Sequence, residues 1–259
     1  MPRPRPRVPR RAGQGTHVEL GRFALGGLPE RRVRVYVPSR YDGWKPHRAL
    51  VLFDGQNVFG DQGSFAGGWH ADEAIERLPK KLQPPIVVAI DHGGEARIDE
   101  LVPWKGKSGR GGDLDRLLDG VAGVLVPAIH RRWHVLPGAV GLCLGGSSLG
   151  GLAALYGHFR APDVFGGALA MSPSLWVADR KIFPFVEARP KPKFTRIYLD
   201  CGVREGRGMF ALAEAMAALL HARGWHGDRS LMWRPDAKGA HSEAHWRRRL
   251  PKALRFLYA

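Results

Sequence analysis

The stretch AVGLCLGGSSLGGLAALYGHF (residues 139–159) decides the fold. Its first part, AVGLCLGG (139–146), is a continuous apolar run of the kind that forms a strand buried on both faces. Its last part carries small apolar residues at helical spacing, and between the two stand a pair of serines inside four glycines. A phosphate-binding loop would need Lys and then Ser or Thr after the last glycine, where this chain has Gly151-Leu152, and the dinucleotide pattern GxGxxG is absent. The pattern that fits is GxSxG over Gly146-Ser147-Ser148-Leu149-Gly150. At a corner where a strand turns directly into a helix, this pattern presents the middle serine on a strained backbone, with small residues two before and two after to avoid clashes. Centred on Ser147 the pattern would need glycine at 149, where leucine stands, so Ser148 is singled out.

Outward from that corner the chain keeps alternating between strand and helix signals. Residues 17–24 (HVELGRFA) and 31–38 (RRVRVYVP) alternate polar and apolar, which predicts an antiparallel opening hairpin. ALVLFDG (49–55), PIVVAID (85–91), FGGALAMS (165–172), TRIYLDCG (195–202) and RSLMWRP (229–235) read as further strands. Helical spacing appears over 69–78, 113–132, 209–224 and 242–258, the last with Pro251 inside it. This order implies an α/β architecture: a mostly parallel central sheet, antiparallel N-terminal strands, and helices on both faces. Residues 17–259 are expected to form one domain. Residues 1–16, rich in Pro and Arg, have too little apolar surface to fold and are expected to be a disordered tail.

The chain has 259 residues and a 44% hydrophobic content, ordinary for a globular protein. Its net charge of +16 invites a nucleic-acid reading, but five of those charges (Arg3, Arg5, Arg7, Arg10, Arg11) lie in the tail. The rest is spread along the chain without a recognisable DNA or RNA module, so no specific nucleic-acid partner is expected. No run of 18 apolar residues predicts a membrane span. The basic N-terminus lacks the apolar segment of a signal peptide, and Cys143 and Cys201 read as buried thiols, so a cytoplasmic location is expected.

A serine hydroxyl is a poor nucleophile unless a base accepts its proton and an acid orients that base. Behind such a corner the partners follow in the order serine, acid, histidine, each on a loop after a later strand. The histidines after Ser148 are His158, His221, His226, His241 and His245; only His241 lies in the loop between the last expected strand and the last helix. The acid should follow the preceding strand, where Glu205 lies in a loop and Asp200 within the strand; Glu205 is favoured, with Asp200 and Asp236 as alternatives. Stabilising the oxyanion takes two backbone N–H groups, expected from Leu149 and from the loop after the third strand at Gln56, with Asn57 as fallback. Trp69, Trp104, Trp176 and Met171 fall near the same edge and are candidates for a substrate pocket, although tryptophans serve as core at least as often.

With these residues in place, the chain resembles the putative esterase (esterase D-like) family of α/β-hydrolases. The resemblance rests on FDGQNVF, DELVPW (99–104), GGSSLGG followed by ALYGHFRAPDVFGGALAMSPSLW, LDCGVREG, and GAHSEAHWRRRLPKALRFLY. The GxxE form at Gly202–Glu205 is similar to the siderophore-esterase-like branch. The resemblance implies an α/β-hydrolase fold and hydrolysis of carboxylic esters through an acyl-serine, with Ser148 as nucleophile, His241 as base and Glu205 as acid. It implies a small-molecule ester substrate and no cofactor or metal; oligomeric state stays open. Two other outcomes remain from the sequence: an acyltransferase that uses the same acyl-enzyme, and a non-catalytic binding protein of the same fold.

Overall fold

The computed structural model describes residues 14–64, 66–227 and 229–259. Eight strands form one sheet: β1 (Thr16–Phe23), β2 (Arg31–Val37), β3 (Ala49–Phe53), β4 (Ile86–Ile90), β5 (Leu142–Ser147), β6 (Gly167–Met171), β7 (Arg196–Gly202) and β8 (Leu231–Asp236). The spatial order is β1-β2-β4-β3-β5-β6-β7-β8. β1 and β2 are antiparallel, as is β2 with β4, and every pairing from β4 through β8 is parallel. β1 starts at Thr16, and the Gly15 N–H donates to the Tyr36 hydroxyl, so residues 15 and 16 of the segment expected as tail belong to the fold. The first thirteen residues of that segment lie outside the described residues.

The helices are α1 (Ala71–Glu76), α2 (Arg97–Leu101), α3 (Leu114–Gly120), α4 (Val126–Arg132), α5 (Leu149–Arg160), α6 (Val177–Arg180), α7 (Ile182–Glu187), α8 (Arg207–Ala222) and α9 (Glu243–Leu257). The helix expected over 113–132 is split into α3 and α4 by a π-type turn at 121–125, whose flanking residues keep right-handed helical backbone. Alternation along the buried strands feeds two cores. Ala49, Val51 and Phe53 of β3 and Ile86, Val88 and Ile90 of β4 face the core built with α3, α4, α5 and α8. Leu50, Leu52, Val87 and Ala89 face the other, closed by α1 and α9. The continuous apolar runs of the sequence are thus strands covered on both faces.

The chain leaves β3 toward β4 on one side and returns to place β5 on the other. This makes a topological switch point between β3 and β5, the place where open parallel sheets form crevices at the carboxyl ends of their strands. Three non-glycine residues follow the central strands there with positive φ: Asp54 after β3, Ser148 after β5 and Ser172 after β6. Backbone strain of this kind collects at functional edges because the surrounding packing has to impose it.

Candidate active site

Ser148 stands between β5 and α5 at φ 55° and ψ −120°. The glycines around it are required by contact. A methyl group at Gly146 would lie 2.6 Å from the carbonyl carbon of Gly150, and one at Gly150 would press on Phe53 and Asp54 at 3.3 and 3.2 Å. The Ser148 hydroxyl is 3.2 Å from that of Ser174, and it lines a cleft of about 510 Å³. A second, smaller cleft opens beside Ala49, Leu142 and Gly167, where the strands begin, far from these residues along the sheet.

Two backbone N–H groups, of Leu149 and Gln56, were expected at the serine, and their direction follows from the carbonyls in the same peptide planes. The Ser148 carbonyl accepts from the Leu152 and Ser174 N–H groups at 3.1 and 3.0 Å. The Gly55 carbonyl accepts from Arg34 at 2.7 Å and from the Val58 N–H at 3.0 Å. A trans peptide points its N–H opposite its C=O, so the Leu149 and Gln56 N–H groups turn away from these locked carbonyls. Both open a helical turn, where N–H groups lack acceptors within the turn. Arg97, in the wall of the cleft, holds Asp54 through two bonds of 2.6 and 2.8 Å, which ties this loop to α2.

Glu205 and His241 meet after β7 and β8. Their loops approach so closely that a methyl at Gly202 would fall 2.3 Å from the Gly239 carbonyl carbon, and the Gly239 carbonyl accepts from the Arg204 N–H. His241 Nδ1 is 2.8 Å from Glu205 Oε2. Glu205 Oε1 accepts from the Ser172 hydroxyl at 2.7 Å, the Gly202 N–H at 2.8 Å and both terminal nitrogens of Arg249 at 3.3 Å. Burial of this carboxyl would raise its pKa. The hydrogen bonds from His241, Ser172 and Gly202, with the charge of Arg249, more than offset that and hold it down at about 2. An ionised Glu205 accepts only, so Nδ1 of His241 carries the proton and Nε2 is the ring's open lone pair.

The other candidates are occupied elsewhere. Asp200 is fully buried, pushed up to about 7 by burial against the pull of Arg249, and bonds the Ser172 N–H. Asp236 pairs with Arg248 at 2.5 Å. His158 lies in the core between the Phe165 carbonyl and Thr195, and burial lowers it to about 4. His221 bonds the Trp225 carbonyl, and His245 contacts Arg248. The two cysteines are free and buried, which raises both thiols to about 12. Among the described residues, no group of three or more His, Cys, Asp or Glu side chains could hold a metal ion, and no helix is long and apolar enough to cross a membrane.

Of the pocket candidates, Trp176 lines the cleft and is 57% exposed. The other three require correction. Trp69 is buried behind Trp246, whose ring in turn meets the His241 ring edge-on at 4.9 Å. Trp104 packs against Tyr156 and Phe185, and Met171 ends β6 fully buried. Ser172, Ser174, Trp246 and Arg249 were missed by sequence reasoning. One signal was available: Arg249 shares the apolar face of α9 with Trp246 and Leu250, an unusual place for an unpaired cation.

A parallel sheet with this corner and loop order has the α/β-hydrolase fold, and the solved structures agree. The BES protein from Bacillus cereus superposes with a TM-score of 0.76 at 18% identity, over 98% of each chain. The enterobactin esterase FES from Shigella flexneri gives 0.73 at 22% identity, over 98% of this chain and 59% of that one. The model of the family described as "Putative esterase" matches residues 29–257, and the chain belongs to that family. A curated relative, the iron(III) salmochelin esterase of Escherichia coli, is 34% identical over 151 residues, 56% of this chain; the match spans about a third (32%) of that protein's length. The uncharacterized protein YbbA of Bacillus subtilis is 27% identical over 68% of this chain and 70% of its own.

Proposed function

We propose that the protein is a serine carboxylesterase whose residues 17–259 form a single catalytic domain. Ser148 Oγ attacks the ester carbonyl carbon while its proton passes to His241 Nε2. The Leu149 and Gln56 N–H groups receive the oxyanion. Collapse of the tetrahedral intermediate breaks the ester C–O bond; His241 returns the proton to the departing alcohol and leaves an acyl-serine. His241 then takes a proton from water, the hydroxide attacks the acyl carbon, and the carboxylic acid leaves as Ser148 is reprotonated. Glu205 holds the His241 tautomer throughout. The observation that supports this most is the 2.8 Å bond from His241 to Glu205 at the sheet edge that carries Ser148 on its positive-φ corner.

The substrate we propose is an ester of an aromatic acid bearing negative charge. The cleft wall offers the exposed Trp176 ring beside three cations, Arg97, Lys107 and Arg110, which pair in turn with Asp54, Asp179 and Asp99. The Shigella flexneri esterase was solved in the presence of 2,3-dihydroxy-N-benzoyl-serine, a carboxylic acid that carries an aromatic ring. A fluorophosphonate probe tests the nucleophile: it should label the wild type and leave Ser148→Ala unlabelled, and equal labelling of both would refute the assignment. His241→Ala should lose at least about a thousandfold in turnover. Ferric enterobactin, whose iron-bound catecholates leave a net negative charge, compared by kcat/KM with feruloyl, acetyl-sugar and short-chain nitrophenyl esters, tests the substrate; an advantage for the neutral acyl groups would overturn it.

A further inference from the structure

Ser172 is fully buried, yet its hydroxyl makes three hydrogen bonds. Trp246 Nε1 donates to it at 2.9 Å and Arg249 Nη2 at 2.8 Å, and it lies 2.7 Å from Glu205 Oε1. An indole N–H and a guanidinium can only donate, so together they use both lone pairs of the hydroxyl. The hydroxyl proton has one direction left, toward Glu205. With Oε1 saturated by Ser172, Gly202 and Arg249, Oε2 is left to His241 alone. Trp246 and Arg249 reach this point together because residues three apart share a face of α9.

From this we infer that Ser172, fed by Trp246 and Arg249 of α9, is a positioning residue: it fixes the Glu205 carboxylate so that His241 is held in one tautomer and one ring orientation. The inference rests on the esterase reading for its consequence in turnover, though not for its geometry. Trp246 serves twice, since its ring also bears edge-on against the imidazole it helps to orient. The backbone shares in the arrangement. Ser172 sits at φ 42°, held by its own N–H on the Asp200 carbonyl and carboxylate at 3.0 and 3.1 Å. An extended residue there would aim its hydroxyl elsewhere.

The test compares wild type with Ser172→Ala, Ser172→Gly and Trp246→Phe. Glycine accepts the left-handed backbone without strain, so it separates loss of the hydroxyl from damage to the loop. Trp246→Phe removes the donor and keeps an aromatic ring, though a smaller one, in the place of the indole. Both Ser172 variants should lose about ten- to a hundredfold in kcat and in the rate of fluorophosphonate labelling, with KM within about twofold. Trp246→Phe should lose about threefold, because Arg249 still feeds the hydroxyl. In proton NMR, the far-downfield signal of an Nδ1–H bound to a carboxylate should be sharp in wild type and weakened or shifted in the Ser172 variants. Wild-type rates and an unchanged signal in folded Ser172→Gly would overturn the positioning role while leaving the esterase reading intact. A wild type that neither hydrolyses esters nor takes the probe would overturn the esterase reading, and the NMR comparison would still decide the role of Ser172.

Discussion

The two halves of the site are built by different means. At Ser148 the backbone does the work: a positive-φ corner, glycines pressed against one another, and two N–H groups aimed by locked carbonyls, while the hydroxyl itself has one 3.2 Å contact with Ser174. At Glu205 and His241 side chains do it: a buried carboxylate takes bonds from three elements, with an arginine beneath it and a tryptophan edge against the imidazole. A corner made of backbone tolerates almost no change of residue and leaves the reactive atom free to move. A network of side chains tolerates change at single points and holds its atoms still. Under the proposed mechanism the nucleophile sits in the first and the oriented base in the second.

The largest expected effect breaks the side-chain half at its centre. Glu205→Gln keeps the shape but can present an N–H₂ to His241 and select the wrong tautomer, so kcat should fall about a thousand- to ten-thousandfold. Asp200→Asn, which alters the other buried carboxyl without touching His241, should stay within about tenfold, and the ratio of the two variants in steady-state kinetics checks the choice between them. Breaking the backbone half looks different. Gly146→Ala forces a methyl against Gly150, so both activity and stability should suffer, by about 1–3 kcal/mol or more in a denaturant melt.

The two buried carboxyls should also leave opposite marks on stability against pH. Glu205 is lowered from 4.5 to about 2, so its contribution, on the order of 3 kcal/mol, is present above about pH 4.5 and lost as pH falls toward 2. Asp200 is raised from 3.8 to about 7, so its contribution is whole at low pH and lost as pH rises through 7. Thermal melts from pH 4 to 8 should therefore show wild type losing ground to Asp200→Asn as pH rises. The smallest effect belongs to Ser174→Ala: removing the lone contact of the Ser148 hydroxyl should change kcat only a few-fold, in single-turnover measurements.

The contrast also explains what could be read beforehand. Gly146, Ser148 and Gly150 fall within five consecutive residues, and the strained turn needs those residue types at that spacing, so the motif is visible in one dimension. The mostly parallel sheet and its two-faced core followed from apolar runs, and Glu205 and His241 could be named because each sits on the first loop after a late strand. Trp69, Trp104 and Met171 were misjudged because a large apolar residue near a sheet edge reads the same whether it walls a cleft or supports a histidine. Ser172 was missed because a hydroxyl between Met171 and Pro173 carries no mark of its partners.

By itself the sequence determined the corner, the alternation that makes the sheet, and the order of serine, acid and histidine, because all three are set by backbone geometry and local spacing. Only the tertiary structure decided which tryptophan faces the cleft and how Arg249, Trp246 and Ser172 converge on Glu205. That convergence joins residues 172, 205, 246 and 249 through directional hydrogen bonds, and direction is a property of the folded chain that no spacing along it encodes.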